Sequence, residues 1–352
     1  MKKISPLFLQ SLLLTFATIG LILFPKETSA AVTEGLSLCY QLIIPALFPF
    51  FILSSLIIDL GLSIPLGKAL GGMMKPLFRL NPNCITPLLL GIIGGFPVGA
   101  KTALTLYENK LSTKEETERL LGFCSNAGPA FILGVIGAGI FKDPKLAYLL
   151  YASHLFGSFA VGILFAQRVP KGKPLPPPSI ALTQGKKFLP SFLLSVTTAL
   201  DSSLRICAFI LCFCVLIRLL TLSGILALIA SLLPLSPDLA LPLLTGFIEL
   251  SSGVSALSSH PNTMAQLLLF AFFLGWSGIS VHCQVLALAQ ETDLSMKLYF
   301  IGNLLQGIFS LLFLLFLWHF DNILLFLLLA FFAFIFFNAY LQIIPKKTRN
   351  QK

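Results

Sequence analysis

The chain has 352 residues, of which 56% are hydrophobic and 11% are charged, and its mean hydropathy is +0.92. A water-soluble domain carries about 45–50% apolar and about 25% charged residues, so this composition excludes a soluble globular protein. The formal net charge of +10 does not indicate nucleic-acid binding, because the basic residues lie between apolar stretches rather than on a soluble domain. The composition is typical of a helical protein that crosses a membrane many times.

Residues 1–30 predict a first transmembrane helix. Lys2 and Lys3 precede the apolar run Leu7–Phe24, and Thr28-Ser29-Ala30 could form a signal-peptide cleavage site. The run is longer than the roughly 7–15 apolar residues of a signal-peptide core. An uncleaved signal anchor is therefore favoured over a cleaved signal peptide.

Eight apolar stretches are long enough to cross the hydrocarbon core, which takes about 20 helical residues. They are Leu7–Phe24, Val32–Leu60, Leu120–Phe141, Leu146–Phe165, Phe192–Leu220, Ala265–Ala289, Leu298–Trp318 and Asn322–Ile344. Two further stretches, Ile85–Tyr107 and Leu239–Leu257, are interrupted at their centres by glycine, proline or polar residues. Broken backbone at membrane depth is tolerated only inside protein or along a cavity. We interpret both as re-entrant hairpins, the alternative being ordinary kinked spanning helices.

The distribution of Lys and Arg favours the hairpins. With both stretches re-entrant, 19 of the 24 basic residues lie on one side of the membrane. Only Lys26, Lys142 and Lys145 then lie on the other side, while Arg205 and Arg218 lie within a span. If both stretches crossed completely, the basic residues would divide almost evenly. Because Lys and Arg concentrate on the cytoplasmic side, we predict an all-α polytopic membrane protein with about eight transmembrane helices, two re-entrant hairpins and both termini in the cytoplasm.

Two halves of the chain share one order of elements: a helix, a broken hairpin, a broken helix and a helix. Leu88–Ile93 in the first hairpin recurs as Leu243–Ile248 in the second, and Leu120–Ser125 recurs as Phe273–Gly278. The first half begins outside and the second inside, which predicts two inverted repeats, an arrangement typical of secondary transporters. The predicted units are 1–30 (first helix), 31–167 (first repeat), 168–190 (basic, proline-rich cytoplasmic linker), 191–320 (inverted second repeat) and 321–352 (last helix and basic tail).

Four broken segments carry small and polar residues where a lipid-facing helix would carry apolar ones. Helix ends at such breaks offer N–H groups to anions and carbonyl groups to cations, although small polar residues also let helices pack closely. The candidate substrate-binding or gate residues are Phe96, Pro97, Gly99 and Lys101 in the first hairpin; Ser125, Asn126, Gly128 and Pro129 in the first broken helix; Glu249, Ser251, Ser252 and Gly253 in the second hairpin; and Ser277, Ser280 and His282 in the second broken helix.

Charged residues inside the apolar stretches are few. Asp201 and Arg205 are four residues apart on one helix face and predict a buried intramembrane ion pair. Glu249 has no local partner by this reasoning, and an intramembrane carboxylate is a candidate for function because it is costly to hold in hydrocarbon. His154 and His282 are expected to be hydrogen-bonding interior residues rather than metal ligands.

Motifs of ATP-driven pumps and membrane proteases are absent from the sequence. It contains no Gly-x-x-x-x-Gly-Lys-Ser/Thr phosphate loop, no His-Glu-x-x-His pair and no Gly-x-Ser-x-Gly elbow. The seven cysteines lack paired metal-ligand spacing. We therefore expect neither an enzyme nor a bound metal or cofactor.

Five segments resemble a known family of membrane proteins. They are Leu47–Phe51, Gly94–Lys101, Glu118–Leu121, Asn126–Gly134 and Gly275–Gln284. Their sequences resemble the YlbJ-type sporulation integral membrane proteins of endospore-forming bacteria, over about residues 30–320 of this chain. The Gly-Phe-Pro-Val-Gly-Ala-Lys and Asn-Ala-Gly-Pro runs are the most specific parts of the resemblance.

The resemblance implies a gate or nucleoside-recognition membrane domain, similar to those of concentrative nucleoside transporters and of the membrane part of the ferrous-iron transporter. It also implies a role in forming the spore envelope. Hairpin glutamates of concentrative nucleoside transporters bind substrate, which implies a comparable role for Glu249.

Residues and resemblance together predict a multi-pass cell-membrane protein of sporulation, in the mother-cell or forespore membrane, that carries a small solute. The lipid bilayer and that solute are its expected partners, nucleic acid is not, and a homo-oligomer is left open. The alternative is a non-transporting membrane scaffold for spore-envelope assembly. A metal permease would depend on Cys124 and His282 alone.

Overall fold

The computed structural model describes residues 6–168, 187–258 and 263–318. Within these ranges the regular elements are all helices and no strand occurs. Helices satisfy their backbone hydrogen bonds internally, which apolar surroundings demand. Most of the predicted linker and the predicted last helix, Asn322–Ile344, lie outside the described residues.

The N-terminal helices bend sharply twice before the first hairpin. Their order is α1 (Pro6–Leu23), α2 (Pro25–Leu38), a π-helical turn (Cys39–Ile43), α3 (Ile44–Asp59) and α4 (Ser63–Leu70). The chain turns by 99° where α2 begins and by 91° between α3 and the segment Ser63–Phe78. Pro25 begins α2 because a proline, which has no N–H group, is tolerated in the first helical turn.

The rest of the first half consists of a hairpin, a broken helix and a long helix. The hairpin is α5 (Ile85–Gly94) and α6 (Val98–Glu108). The broken helix is α7 (Lys114–Cys124), followed by the open segment 125–129, hereafter break 1, and a π-helix (Ala130–Phe141). The long helix is α8 (Pro144–Ala166). The hairpin arms touch because Gly91 and Gly99 have no side chains; a Cβ on Gly99 would lie 2.8 Å from the Cα of Gly91.

The second half repeats this order after one long helix. Its helices are α9 (Phe188–Leu222), α10 (Ile225–Ser231), α11 (Pro237–Ile248), α12 (Leu250–Ser258), α13 (Met264–Trp276), α14 (Gly278–Ala289) and α15 (Lys297–Trp318). The hairpin α11–α12 closes over Gly246 and Gly253, where a Cβ on Gly253 would lie 2.5 Å from the backbone nitrogen of Gly246. The helix α13–α14 is interrupted at Ser277, hereafter break 2.

The two halves pack on each other through their corresponding helices. The helices α8 and α15 lie along one another, α7 also packs on α15, and α13 also packs on α8. On the other side of the bundle, α9 packs against α2, α3 and α14. The largest buried apolar cluster surrounds Phe78, Phe123 and Tyr299, where the two halves meet.

Four helical segments are long and apolar enough to cross a membrane by themselves. They are Pro144–Ala166, Phe188–Leu222, the broken Met264–Ala289 and Lys297–Trp318, and the described part of the chain reaches six spans if each sharply bent pair counts as one. These four coincide with four of the eight predicted stretches. The helix α9, with 35 residues, is the longest of them.

Candidate functional site

The tips of both hairpins and break 1 meet around one partly open cavity of about 80 Å³, large enough for several water molecules. We call it the central cavity. The first half contributes Ile43, Leu47, Gly94, Gly95, Phe96, Ala127, Gly128, Ala130 and Phe131, and the second half contributes Ile206, Ile210, Glu249, Leu250, Ser251, Val281 and Gln284.

The first hairpin tip fits directly against break 1. Gly95 ends α5 with φ +83°, a left-handed conformation that favours glycine. A Cβ on Gly95 would lie 2.9 Å from the backbone nitrogen of Gly128, so a side chain would separate the tip from the break. The close contact of these two backbone segments therefore accounts for a glycine in both the Gly-Gly-Phe-Pro run and the Asn-Ala-Gly-Pro run.

Glu249 is the tip of the second hairpin, and its carboxylate caps the helix that follows it. Oε1 accepts a hydrogen bond from the backbone N–H of Ser251 at 3.0 Å. Oε2 accepts from the backbone N–H of Ser252 at 2.6 Å and from the hydroxyl of the same serine at 2.7 Å. The expectation that Glu249 lacks a local partner is therefore wrong, because the free N–H groups at the start of α12 bind it. Glu249 is buried and lines the central cavity.

Break 1 is held open by side chains of α8 and α15. The backbone N–H of Ala127 donates to Nε2 of His154 at 3.0 Å, and Nε2 of Gln306 donates to Oδ1 of Asn126 at 2.8 Å. His154, Asn126 and Gln306 are fully buried. Because Nε2 of His154 accepts a hydrogen bond, this imidazole is neutral with its proton on Nδ1. As expected for an interior residue, His154 acts as a hydrogen-bonding group.

Break 2 is shorter and has different supports. Ser277 has φ +75°, and its hydroxyl donates to Oδ1 of Asn303 at 3.3 Å. Nδ1 of His282 lies 3.0 Å from the hydroxyl of Tyr299, within hydrogen-bond distance. The ring of Trp276 packs edge-on to that of His282, with 4.4 Å between centroids.

One helix thus braces both breaks. Asn303 and Gln306 are three residues apart on the same face of α15; the first contacts Ser277 at break 2 and the second contacts Asn126 at break 1. Neither α15 residue was among the sequence candidates. The polar positions Tyr299, Asn303, Gln306 and Ser310, which recur at helical spacing in an otherwise apolar helix, are the signal that identifies this face.

The predicted site residues separate into three groups. Phe96, Gly128, Glu249 and Ser251 line the central cavity, whereas Pro97 and Lys101 line a second cavity of about 20 Å³ beside it, hereafter the side cavity. The remaining candidates line neither cavity and belong to the hairpin arms, the breaks and the first turns of α14: Gly99, Ser125, Asn126, Pro129, Ser252, Gly253, Ser277, Ser280 and His282.

Lys101 lies in a defined polar and aromatic setting. Its Nζ donates to the hydroxyl of Ser202 on α9 at 2.6 Å and lies 4.9 Å from the centroid of the Phe51 ring. These contacts tie the first hairpin to the long helix of the second half.

Asp201 and Arg205 lie 2.8 Å apart, but on the outer face of the bundle. The side chain of Asp201 is 62% exposed and that of Arg205 is 60% exposed. The expectation that this pair is buried is wrong, because the inward face of α9 at this level is formed by Ser202, Ser203 and Ile206.

A metal site is not formed by the described residues. No group of three or more His, Cys, Asp or Glu side chains among them could hold an ion. The metal-permease alternative, which depended on Cys124 and His282, gains no support from this arrangement.

Comparison with known proteins places the chain in a family. A family model described as "Gate: Nucleoside recognition" matches residues 41–166, which end with α8 and include the first hairpin and break 1. The chain is 32% identical over 343 residues to the sporulation integral membrane protein YlbJ of Bacillus subtilis (strain 168), across 90% of this chain and 84% of that protein. The chain belongs to the YlbJ family. No solved structure matches.

Membership of the YlbJ family makes the chain an integral membrane protein of sporulation with a nucleoside-recognition Gate domain. Such a protein lies in the lipid bilayer, as its apolar helices require. The residues that the Gate family model matches line only one side of the central cavity. Glu249 and Gln284 come from the second half, beyond the matched residues.

Proposed function

We propose that this protein is a secondary-transporter-like carrier of a small solute, and that the central cavity is its binding site. The observation that carries the proposal is the composition of the cavity wall. Two hairpin tips and a helix break, drawn from both halves of the chain, converge on one cavity. Secondary transporters bind their solutes where discontinuous helices meet.

The burial of the broken segments supports a binding role. Ser125, Asn126, Ala127 and Gly128 interrupt an apolar helix, and all four are buried. Irregular backbone at this depth is expensive unless protein or a cavity meets its polar groups. Only part of this break is used for bracing, since Gly128 also faces the central cavity.

The arrangement of helices supports a topology of two inverted repeats, with units 31–167 and 191–320, about eight transmembrane helices and two re-entrant hairpins. Each half runs hairpin, broken helix, long helix. The contact of α7 with α15 has its counterpart in the contact of α13 with α8, as a two-fold relation between the halves requires. We further propose that both termini face the cytoplasm.

Cysteine labelling tests this topology. A single cysteine at Gln184, in a protein without its seven native cysteines, should react only with membrane-permeant thiol reagents. A cysteine at Ser259 should react with impermeant reagents added outside intact cells. Gln184 and Ser259 lie outside the described residues. Labelling of position 184 from outside would contradict the inverted repeats.

Filling the central cavity tests the carrier. Ser251→Phe places a ring in the cavity, whereas Ser255→Phe, one turn later on α12, adds the same ring at an exposed position outside it. We expect both variants to accumulate normally, and only Ser251→Phe to give a sporulation defect close to that of the deletion. Untargeted comparison of metabolites in sporulating cells of both strains would then reveal the solute.

The rival function is a scaffold that recruits spore-envelope proteins without transporting anything. A scaffold should tolerate Ser251→Phe and fail when its cytoplasmic loops are changed. Wild-type spore frequency with Ser251→Phe at normal abundance would therefore overturn the carrier.

A further inference from the structure

Building on the carrier proposed above, we infer that Gln284 and Ile206 form a gate between the central cavity and the side cavity, so that the solute passes between them toward the cytoplasm. The side cavity is lined by Phe51, Pro97, Lys101, Ser202, Arg205, Ile206, Phe209, Gln284, Ala287 and Leu288. Among the residues that the structure describes, Ile206 and Gln284 alone border both cavities.

The two cavities follow one another along a single groove. On α14 the lining residues advance from Val281 and Gln284 in the central cavity to Gln284 and Ala287 in the side cavity. On the first hairpin they advance from Gly95 to Lys101. The lining residues of α14 advance by about one helical turn and those of the first hairpin by six residues, both toward the C-terminal end of their helices, so the cavities are consecutive parts of one path.

The cavity-lining residues of α9 follow the groove in the opposite chain direction. It contributes Ile210 and Ile206 to the central cavity, then Ile206 and Ser202 to the side cavity. This is the order that an antiparallel neighbour gives when it borders the same groove. The lining residues of the first hairpin, α9 and α14 therefore all place the boundary between the two cavities at the level of Ile206 and Gln284.

Both residues of this boundary between the cavities are buried, and one of them is held weakly. Ile206 and Gln284 are each 5% exposed. Nε2 of Gln284 lies 3.4 Å from the hydroxyl of Ser280, which is long for an N–H···O hydrogen bond. Because rotation of the Gln284 side chain gives up little hydrogen-bond energy, this residue is the moving part of the gate, and the branched side chain of Ile206 is the surface on which it closes.

The side cavity lies toward the end of the molecule that carries the basic segments. Leaving the groove, α6 and α14 lead to loops that meet where Asp293 accepts hydrogen bonds from Lys114 at 2.8 Å and from Tyr107 at 2.7 Å. In the same direction α9 leads back to Phe188, next to the basic linker. Basic segments concentrate on the cytoplasmic side, so the gate is the cytoplasmic one.

Thiol accessibility tests the gate without any need to know the solute. A reporter cysteine replaces Ser251, in the full-length protein without native cysteines, and a small impermeant thiol reagent is applied separately to right-side-out and inside-out vesicles. We expect Gln284→Ala and Ile206→Ala each to speed labelling from the cytoplasmic face at least tenfold and to leave labelling from the other face unchanged. Phe131→Cys, also on the central cavity, is a second reporter if the first variant does not accumulate.

Two controls isolate the effect. Leu286→Ala changes an exposed residue of α14 that borders neither cavity and should leave the labelling rate unchanged. A reporter at Ser255, outside the cavity, should label at the same rate with and without Gln284→Ala. Unchanged labelling of residue 251 in both gate variants, or a faster rate from the non-cytoplasmic face, would overturn the gate.

The labelling experiment and the Ser251→Phe test of the carrier can fail independently of each other. Unchanged labelling together with a sporulation defect in Ser251→Phe would refute the gate and leave the carrier intact. Faster labelling together with normal sporulation in Ser251→Phe would support the opening at Gln284 and refute solute transport.

Discussion

The two hairpins are built alike in their arms and differently at their tips. Each pair of arms meets through glycines, Gly91 with Gly99 and Gly246 with Gly253. The first tip contributes Gly94, Gly95 and Phe96 to the wall of the central cavity, whereas the second contributes Glu249, whose carboxylate also caps α12. The shape of a hairpin and its chemistry are therefore set by separate residues, and each can be changed without the other.

The arms should be the most sensitive part of both hairpins. A methyl group on Gly99 or Gly253 would collide with backbone, and backbone cannot move aside as a flexible side chain can. We expect Gly99→Ala and Gly253→Ala each to cost about 3 kcal/mol, the upper range for overpacking, and to lower membrane abundance severalfold. Gly134→Ala is the control, since nothing lies within 4 Å of its added Cβ. Normal abundance of only one arm variant would mean that the hairpins are not built alike.

The support of break 1 should matter next, because the first hairpin tip is packed on it. His154→Phe removes the acceptor of the buried Ala127 N–H, and an orphaned buried donor costs about 1–3 kcal/mol. His154→Gln retains an acceptor and should recover part of the loss. Thermal unfolding of the purified protein in detergent measures both variants. Equal stability of His154→Phe and wild type would show that the hydrogen bond contributes nothing.

Variants of Glu249, at the tip of the second hairpin, should separate an effect on function from an effect on stability. Glu249→Gln retains one acceptor oxygen and turns an NH₂ group toward the donors of Ser252, so it should cost about 1–2 kcal/mol. We expect near-normal abundance with a sporulation defect close to that of the deletion. Glu249→Asp keeps the charge and a good capping group, and should be the more stable of the two variants.

Spore frequency decides the role of this carboxylate. Wild-type spore frequency with Glu249→Gln at normal abundance would reduce Glu249 to a helix cap. Loss of function in Glu249→Asp at normal abundance would instead indicate that the reach of the carboxylate into the cavity matters.

The smallest effect is expected for the ion pair outside the bundle. Because both side chains are more than half exposed, their loss removes little packing inside the bundle, and Asp201→Asn should lower membrane abundance less than the arm and break variants do. Arg205→Gln is the matched variant. A severalfold loss in either single variant that the double variant restores would contradict the exposed position.

The sequence predicts the order of elements well because local signals specify it. Glycines and prolines identify the hairpins and breaks, and the structure interrupts its helices at those places: Gly95, Ser125, Glu249 and Ser277. These signals do not locate the start of α12, which explains the wrong expectation that Glu249 has no local partner. Glu249 caps α12, and this role depends on the residue at which the helix begins, not on the rarity of charge in an apolar run.

The long-range part of the site is not visible in local patterns. Gln306 and Asn126 are 180 residues apart in the chain, and nothing near either residue indicates the other. Likewise, the spacing of Asp201 and Arg205 predicts that they face each other but not whether their helix face points into the bundle. Gln284 lies in a segment that resembles the family, yet only the stacking of two cavities gives it a role.

The helix α9 is longer than the hydrocarbon core of a membrane is thick. Its 35 residues make a rod of about 52 Å, while the hydrocarbon core measures about 30 Å. A typical tilt of about 20° absorbs only a few ångströms of that excess, so one end of the rod stands clear of the lipid tails. Ile206 and Ile210 lie near its middle, in the wall of the central cavity, and its first turn follows the proline-rich linker. A displacement of the linker end of this helix would therefore be transmitted along the rod to the wall of the central cavity at its middle.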